Sequence, residues 1–504
     1  MDITVKRSGI ACCEKVYEQS TSVEEAVEAV VPDTQPDAEY ILCATGDVII
    51  RSKDVGEGHL SITAQVESAV LYSPEGGEGA CQLTATVPVS VELDAPGVTA
   101  GSPASVMLTL GSIEARLLNP RKVVVRCVVN VDAEVYAPGQ LCVSTGLEGD
   151  GAEDVEMLTE PCMVSPVVCV KEKTFVVSDE YQLQPGLMPI GSILTSRTEI
   201  KQGSVRTVGS RLLFNGTVKL GVLYEAAGSH ELCSVSFETE YSQMLDADAE
   251  FTSPDCSVNN ILTAKYVEPV TLAGGERGIS AEFHILAQFV CTDSVRVQCL
   301  TDCYSNRCEL ELGRVDTQAG CVLRRVTVRA SAYEQLAASP AAVSVCRTDC
   351  RLTAPECTDG TLRCGAVVTV LYLASDGKLY AAHRRLTCEA ASELGEGEYA
   401  ACVSASCAEC TATIAQGGFD VRVAVDFELV SAKRVTISQI ECVTAPDEVA
   451  EHEYPSVTVI RARDGDTLWM LGKRYHSTAA LISDFNSLAD GENLAGRVLL
   501  IPRG

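Results

Sequence analysis

Apolar and polar residues alternate along three separated stretches of the chain. In the first, Ile62, Ala64, Val66, Val70 and Tyr72 share one parity, against Ser61, Thr63, Gln65 and Glu67 on the other. In the second, Val218, Leu220, Val222 and Tyr224 alternate with Thr217, Lys219 and Gly221. In the third, Leu362, Cys364, Ala366, Val368, Val370 and Tyr372 alternate with Thr361, Arg363 and Thr369. Side chains along a strand point to opposite faces in turn, so a period of two predicts a strand with one buried face. All three stretches close on Leu-Tyr: Leu71-Tyr72, Leu223-Tyr224 and Leu371-Tyr372. These pairs lie 152 and 148 residues apart, a domain-sized period too long for a solenoid.

Each copy ends in a second alternating strand. Val123, Val125, Cys127, Val129 and Val131 form the first, Ile279, Ala281, Phe283, Ile285 and Phe289 the second, and Phe419, Val421, Val423, Val425 and Phe427 the third. Turn-forming runs such as Ser73-Pro74-Glu75-Gly76-Gly77 and Ser375-Asp376-Gly377 separate the strands. Many short strands with one wet face imply antiparallel sheets, and the expected fold is mainly β, with three tandem β-sandwich-like repeats. Lapses in the pattern put these at residues 1–145, 153–300 and 303–440. The acidic, glycine-rich run from Gly146 to Asp154 makes the first break, and Thr301-Asp302-Cys303 a short second one. Residues 441–456, acidic and containing Pro446 and Pro455, read as a stiff linker. One short helix is expected over Val23 to Val31, with Ser22 as N-cap and Glu25 at the capping-box position.

From Val457 the period changes. The strand Val457-Thr458-Val459-Ile460 leads to Asp464-Gly465-Asp466-Thr467, where Asp466 is placed to cap a helix presenting Leu468, Leu471, Gly472 and Tyr475 on one face. Ser477 or Thr478 opens a second helix through Leu481, Ile482 and Phe485 to Asn486, and Val498 to Pro502 closes a β-α-α-β module at 457–503.

Charge narrows the partners. The chain has 504 residues, with 39 basic against 69 acidic side chains and a net charge of −30, so nucleic acids and anionic membranes would be repelled. An apolar fraction of 46% separates it from disordered acidic chains. The polar start, Met1 to Gly9, has no signal-peptide pattern, and no apolar run is long enough to span a bilayer, so the expected location is the cytosol. The 24 cysteines then read as mostly free, buried thiols, with late crosslinking or metal as alternatives.

A search for catalytic chemistry finds little. Gly377-Lys378 and Gly472-Lys473 lack the rest of a phosphate-binding loop, and no Gly-x-Ser-x-Gly elbow exists. The histidines His59, His230, His284, His383, His452 and His476 are scattered without ligand spacing. Cys407-Ala408-Glu409-Cys410 is the one Cys-x-x-Cys; with Cys402 it suits either zinc or a redox pair, but a zinc tetrahedron needs further ligands that the spacing does not offer. Cys299, Cys303 and Cys308, and Cys346, Cys350 and Cys357, form looser groups. Asp246 and Asp248, or Asp464 and Asp466, imitate a hydrolase pair, yet an acidic loop and helix capping explain them as well. The expectation is no enzyme, no cofactor and no metal.

Two resemblances add to this reading. Gly465 to Trp469, Arg474-Tyr475, Asn486 and Gly496 to Pro502 resemble the LysM module; the departure is Leu471-Gly472, where that family usually has Ile-Ala. The resemblance implies a shallow groove between two loops, with Asp464, Gly465, Asp466 and Thr467 facing Asn486, Leu488, Gly491, Asn493, Leu494 and Ala495, and a GlcNAc-containing glycan as one possible ligand. Equally, Asp466, Thr467 and Trp469 serve only to cap and pack the helix. The Val-Leu-Tyr strands with their turns and terminal strands resemble the SPOCS module of spore-coat-associated proteins. Together with one C-terminal LysM, the chain resembles the SipL-like coat morphogenetic family. That resemblance implies a non-catalytic scaffold in the mother-cell cytosol at the forespore surface, which binds the SpoIVA-like ATPase of the coat basement layer and other coat proteins. The alternative is a peptidoglycan-binding protein at a wall or cortex.

Overall fold

A computed structural model describes residues 3–445, 455–489 and 491–503. Strands dominate it. The first segment holds β1 (Thr4–Val30), β2 (Ala38–Gly56), β3 (His59–Pro74), β4 (Cys81–Asp94), β5 (Ala104–Asn119) and β6 (Lys122–Glu148). The second holds β7 (Val155–Val164), β8 (Val167–Gln182), β9 (Ile190–Val208), β10 (Arg211–Ala226), β11 (Leu232–Asp246), β12 (Pro254–Thr271), β13 (Arg277–Asp293) and β14 (Val295–Ser305). The third holds β15 (Glu311–Ala337), β16 (Ala342–Leu352), the short β17 (Glu356–Thr358), β18 (Thr361–Ala374), β19 (Leu379–Ala391), β20 (Glu398–Ala415) and β21 (Gly418–Thr444). The tail comprises β22 (Val457–Arg461), α1 (Leu468–Tyr475), α2 (Ala479–Asn486) and β23 (Val498–Pro502).

One strand plan recurs in each segment. A meander forms around a central strand: β3 pairs with β2 and β4, β10 with β9 and β11, and β18 with β16 and β19. In a second layer the last long strand lies between the first and the one before it, as β1-β6-β5, β8-β13-β12 and β15-β21-β20. Residues of both layers share a core in each segment. The alternating strands supply the buried faces, so the period of two is spent on one apolar layer per strand.

The Leu-Tyr pairs show how the segments meet. Tyr72, Tyr224 and Tyr372 are buried in their own segment's core. Each hydroxyl is held by backbone in the turn joining the segment's first long strand to its meander: Pro36 O for Tyr72, Met188 O for Tyr224, and Ser339 for Tyr372. The adjacent leucines point the other way. Leu71, Leu223 and Leu371 meet in one apolar cluster with Leu42, Cys43, Leu194 and Leu379. At the far ends of the long ribbons the segments meet again, through Ile3, Leu147, Val155, Leu300, Cys303 and Ile440. Polar links also join the segments: Lys265 of the second pairs with Asp47 of the first at 2.5 Å, both nearly buried, and Arg325 of the third grips Asp255 of the second through two bonds.

Several expectations need correction. Val23 to Val31 is not a helix: β1 runs through it to Val30, with Val23 opposite Val129 and Val27 opposite Val125. Spacing by four satisfies a helix face and a strand face alike, and a 27-residue partner strand decides for the sheet. Gly146 to Glu148 belongs to β6, and only the following turn and a single 3-10 turn at Ala152–Asp154 link the segments. Thr301-Asp302-Cys303 lies inside β14 and is no break. Residues 441–444 finish β21, while residues 446–454 of the expected linker, with His452, lie outside the described residues. No helix among the described residues is long and apolar enough to cross a membrane.

Candidate functional site

The tail gives the most sharply defined surface. Strands β22 and β23 pair antiparallel, with Val457 opposite Pro502, and Ala462, Leu471, Ile482, Leu494, Leu499 and Ile501 form a small core beneath the helices. Thr467 caps α1 by accepting from the Met470 amide, and Thr478 caps α2 by accepting from Leu481. Asp466 is therefore not the cap. Its carboxylate accepts from the Arg463 amide at 2.8 Å and faces Arg474 at 3.6 Å, closing the loop before the helix.

The proposed groove residues divide by environment. Asp464, Gly465, Thr467, Gly491, Asn493 and Ala495 are exposed on the two loops. Leu494 is buried in the tail's core, and Leu488 packs against it. Asn486 spends both ends of its amide on structure: Nδ2 donates to Leu500 O and Ile482 O, and Oδ1 accepts from Leu500 N. It ties α2 to β23 and has little left for a ligand.

The module is docked through α1 and Ser477 just beyond it. Trp469 donates from Nε1 to Asp302 at 2.9 Å and meets the Tyr304 ring edge-on, 4.8 Å between centroids. Lys473 Nζ pairs with both Asp302 oxygens at 2.6 and 2.8 Å, and the Tyr304 hydroxyl donates to Ser477 O at 2.8 Å. Burial works to raise the Asp302 carboxyl, but hydrogen bonds from Lys473 and Trp469 and the Lys473 and Arg314 charges outweigh it and hold the group below its ordinary range. Gly472 explains itself here. A Cβ at that position would stand 2.4 Å from the Tyr304 hydroxyl oxygen and 3.0 Å from Ser477 O, so the residue that departs from the LysM pattern is the one that admits Tyr304. Sequence reasoning missed Asp302 and Tyr304, although the mid-helix glycine was a usable signal.

The thiols are the second candidate. Cys256 and Cys291, opposite each other on β12 and β13, form one disulfide, and the other 22 cysteines are free. In β20 a bulge falls between Cys407 and Glu409. In an unbroken strand Cys407 and Cys410, three apart, would face opposite ways; the extra residue turns both toward the third core, beside Cys350 of β16. Contact with Cys350, then burial, pushes the Cys407 thiol up. For Cys350, the bond with Cys407 pulls down, but Cys410 and burial prevail and push it up to about 12. Such thiols stay protonated and unreactive at neutral pH. Among the described residues no group of His, Cys, Asp and Glu is arranged to hold a metal ion.

Asp246 and Asp248 do not converge on a reaction centre, since Lys171 pairs with Asp248 and Arg211 with Asp246. Among the described residues, His230 and His284 contact Glu225 and Glu282, and His383 contacts Thr369, three separate places in the fold. No curated protein and no solved structure matches the chain. Residues 37–118 match the family described as SipL, SPOCS domain, a stretch running from the start of β2 nearly to the end of β5. The chain thus contains a SPOCS domain in its first segment.

Proposed function

We propose that this protein is a non-catalytic scaffold of the spore coat, which binds the ATPase of the coat basement layer and other coat proteins and helps the coat encase the forespore. The observation that carries this is the SipL SPOCS match at residues 37–118. The recurrence of its strand plan supports reading the three segments as tandem SPOCS-like β-sandwiches, followed by a LysM-like module. Linked modules raise effective concentration, which suits a connector. The chemistry offered by the tail and thiols favours assembly over turnover, and the protein is taken to work without cofactor.

The docked tail alters how the module serves that role. It is held on β14 through Asp302 and Tyr304, so it presents its loops from a fixed base. The exposed Asp464, on the same loop as Gly465 and Thr467, is the feature taken to favour a basic protein patch, with binding that weakens as salt rises. A second reading, a GlcNAc-containing glycan in the groove, draws on the same open loops and predicts little salt dependence.

The test is a tagged copy imaged in sporulating cells, beside pull-downs on purified basement-layer ATPase and on insoluble murein. A ring at the forespore and capture by the ATPase are expected, with capture lost on deletion of residues 457–504. Diffuse signal with capture by murein alone would replace the scaffold with the glycan reading.

A further inference from the structure

We propose that a cavity at the junction of the three segments binds a small oxyanion carrying two or more negative charges, of the phosphate or polycarboxylate type. The cavity, about 590 Å³, is lined from all three segments, and Arg197 of β9, Arg351 of β16 and Arg385 of β19 converge on it. In a chain with a net charge of −30, three arginines around one space are out of keeping with the composition.

Their partners make the case. Among the described residues none of these three guanidiniums forms an ion pair, whereas neighbouring Arg347 is held by both oxygens of Asp349. Asp349 lines the cavity with its charge already engaged, and Glu114, the other carboxylate there, is exposed at its edge. Arg197 donates to the Cys350 carbonyl, a neutral acceptor. Arg351 Nε is buried with no hydrogen-bond partner. Burial first, and then the like charge of Arg197, press the Arg351 pKa down. A half-buried cation without a counter-charge is disfavoured, and a guanidinium is built to grip an oxyanion through paired N–H donors. Gly46, Gly111 and Ser112 on the facing strands leave backbone close to the space, and Thr353 and Thr369 supply hydroxyls. The size lies in the range of small-ligand sites.

Titration calorimetry on the full chain, with sodium pyrophosphate, inorganic phosphate and citrate at ionic strength fixed with sodium chloride, tests this directly. Saturable one-to-one binding of at least one of the three is expected. Arg351→Met should weaken it at least tenfold, and Arg422→Gln, on the outer face of β21, should leave it unchanged. Arg351→Met removes an unpaired charge, so without added anion it should melt no lower than the parent while losing the anion-dependent rise in Tm. If that variant does not fold, Arg385→Gln, exposed at the cavity mouth, should show the same loss of binding. No saturable heat with any of the three anions, or equal binding by the parent and both cavity variants, would overturn the assignment.

Discussion

At the scale of single residues, the tail's attachment turns on Gly472 and Asp302. In an isolated helix, alanine in place of glycine stabilises by about 1 kcal/mol. Here the added Cβ collides with Tyr304 and also crowds Ser477 O inside the module, which offsets that gain, so Gly472→Ala should undock the tail. Trp469 is the only tryptophan and sits in the contact, which makes its emission the natural readout. A red shift in Gly472→Ala is expected, and an unchanged spectrum would mean that the docking does not depend on this close approach. Asp302 predicts the pH response. Its carboxyl is held below the ordinary range when docked, so its contribution is complete above the unfolded value of about 3.9 and is lost as pH falls through the lower docked value. Trp469 emission should stay flat from neutral pH down to about 4 and shift only below it. Asp302→Asn should undock partly and remove that transition. The sequence made Asp466 a cap and Asn486 a groove residue because composition alone cannot tell which oxygen meets which amide. Thr467, one position on, has the backbone geometry to do the capping.

At the scale of elements, alternation was legible wherever one face of a strand is buried and the other wet. It identified the central and terminal strands of each segment residue by residue, since Val123 to Val131 and Phe419 to Phe427 are buried at every second position. It misled at Val23 to Val31, where an acidic, valine-bearing stretch fits both periods, and pairing to a distant strand lies beyond local pattern. Nor was the β20 bulge readable, because it arises from a register shift against β21. The bulge sets an expectation for the thiols. With Cys350 buried, Cys407 half-buried and both thiols pushed up, iodoacetamide at pH 8 should label them at least about tenfold more slowly than the exposed Cys142 and Cys442. After denaturation, 22 cysteines should label without reduction, and Cys256 and Cys291 only after it. Fast native labelling of Cys407 would place the Cys-x-x-Cys on the outer face instead.

At the scale of the whole molecule, the period of about 150 residues was visible but its closure was not. The clue was an apolar residue on the wet parity, repeated three times: Leu71, Leu223 and Leu371 break the alternation just before each tyrosine. A leucine there has no place in its own core, and it is this side chain that meets the other two segments. The tyrosine thus serves the segment and the leucine serves the assembly, which gives the pair separable roles. Truncating a buried leucine costs about 2–5 kcal/mol, depending on how far the site collapses. Leu223→Ala should incur such a loss at the shared junction, while Val218→Ala should weaken the second core alone. Calorimetry distinguishes them. Val218→Ala is expected to lower the melting temperature of one cooperative transition, whereas Leu223→Ala should broaden or split it as the segments lose their common contact. A single sharp transition in Leu223→Ala, shifted no further than in Val218→Ala, would mean that the polar links such as Lys265–Asp47 and Arg325–Asp255 hold the segments together and that the leucine cluster only fills the space between them.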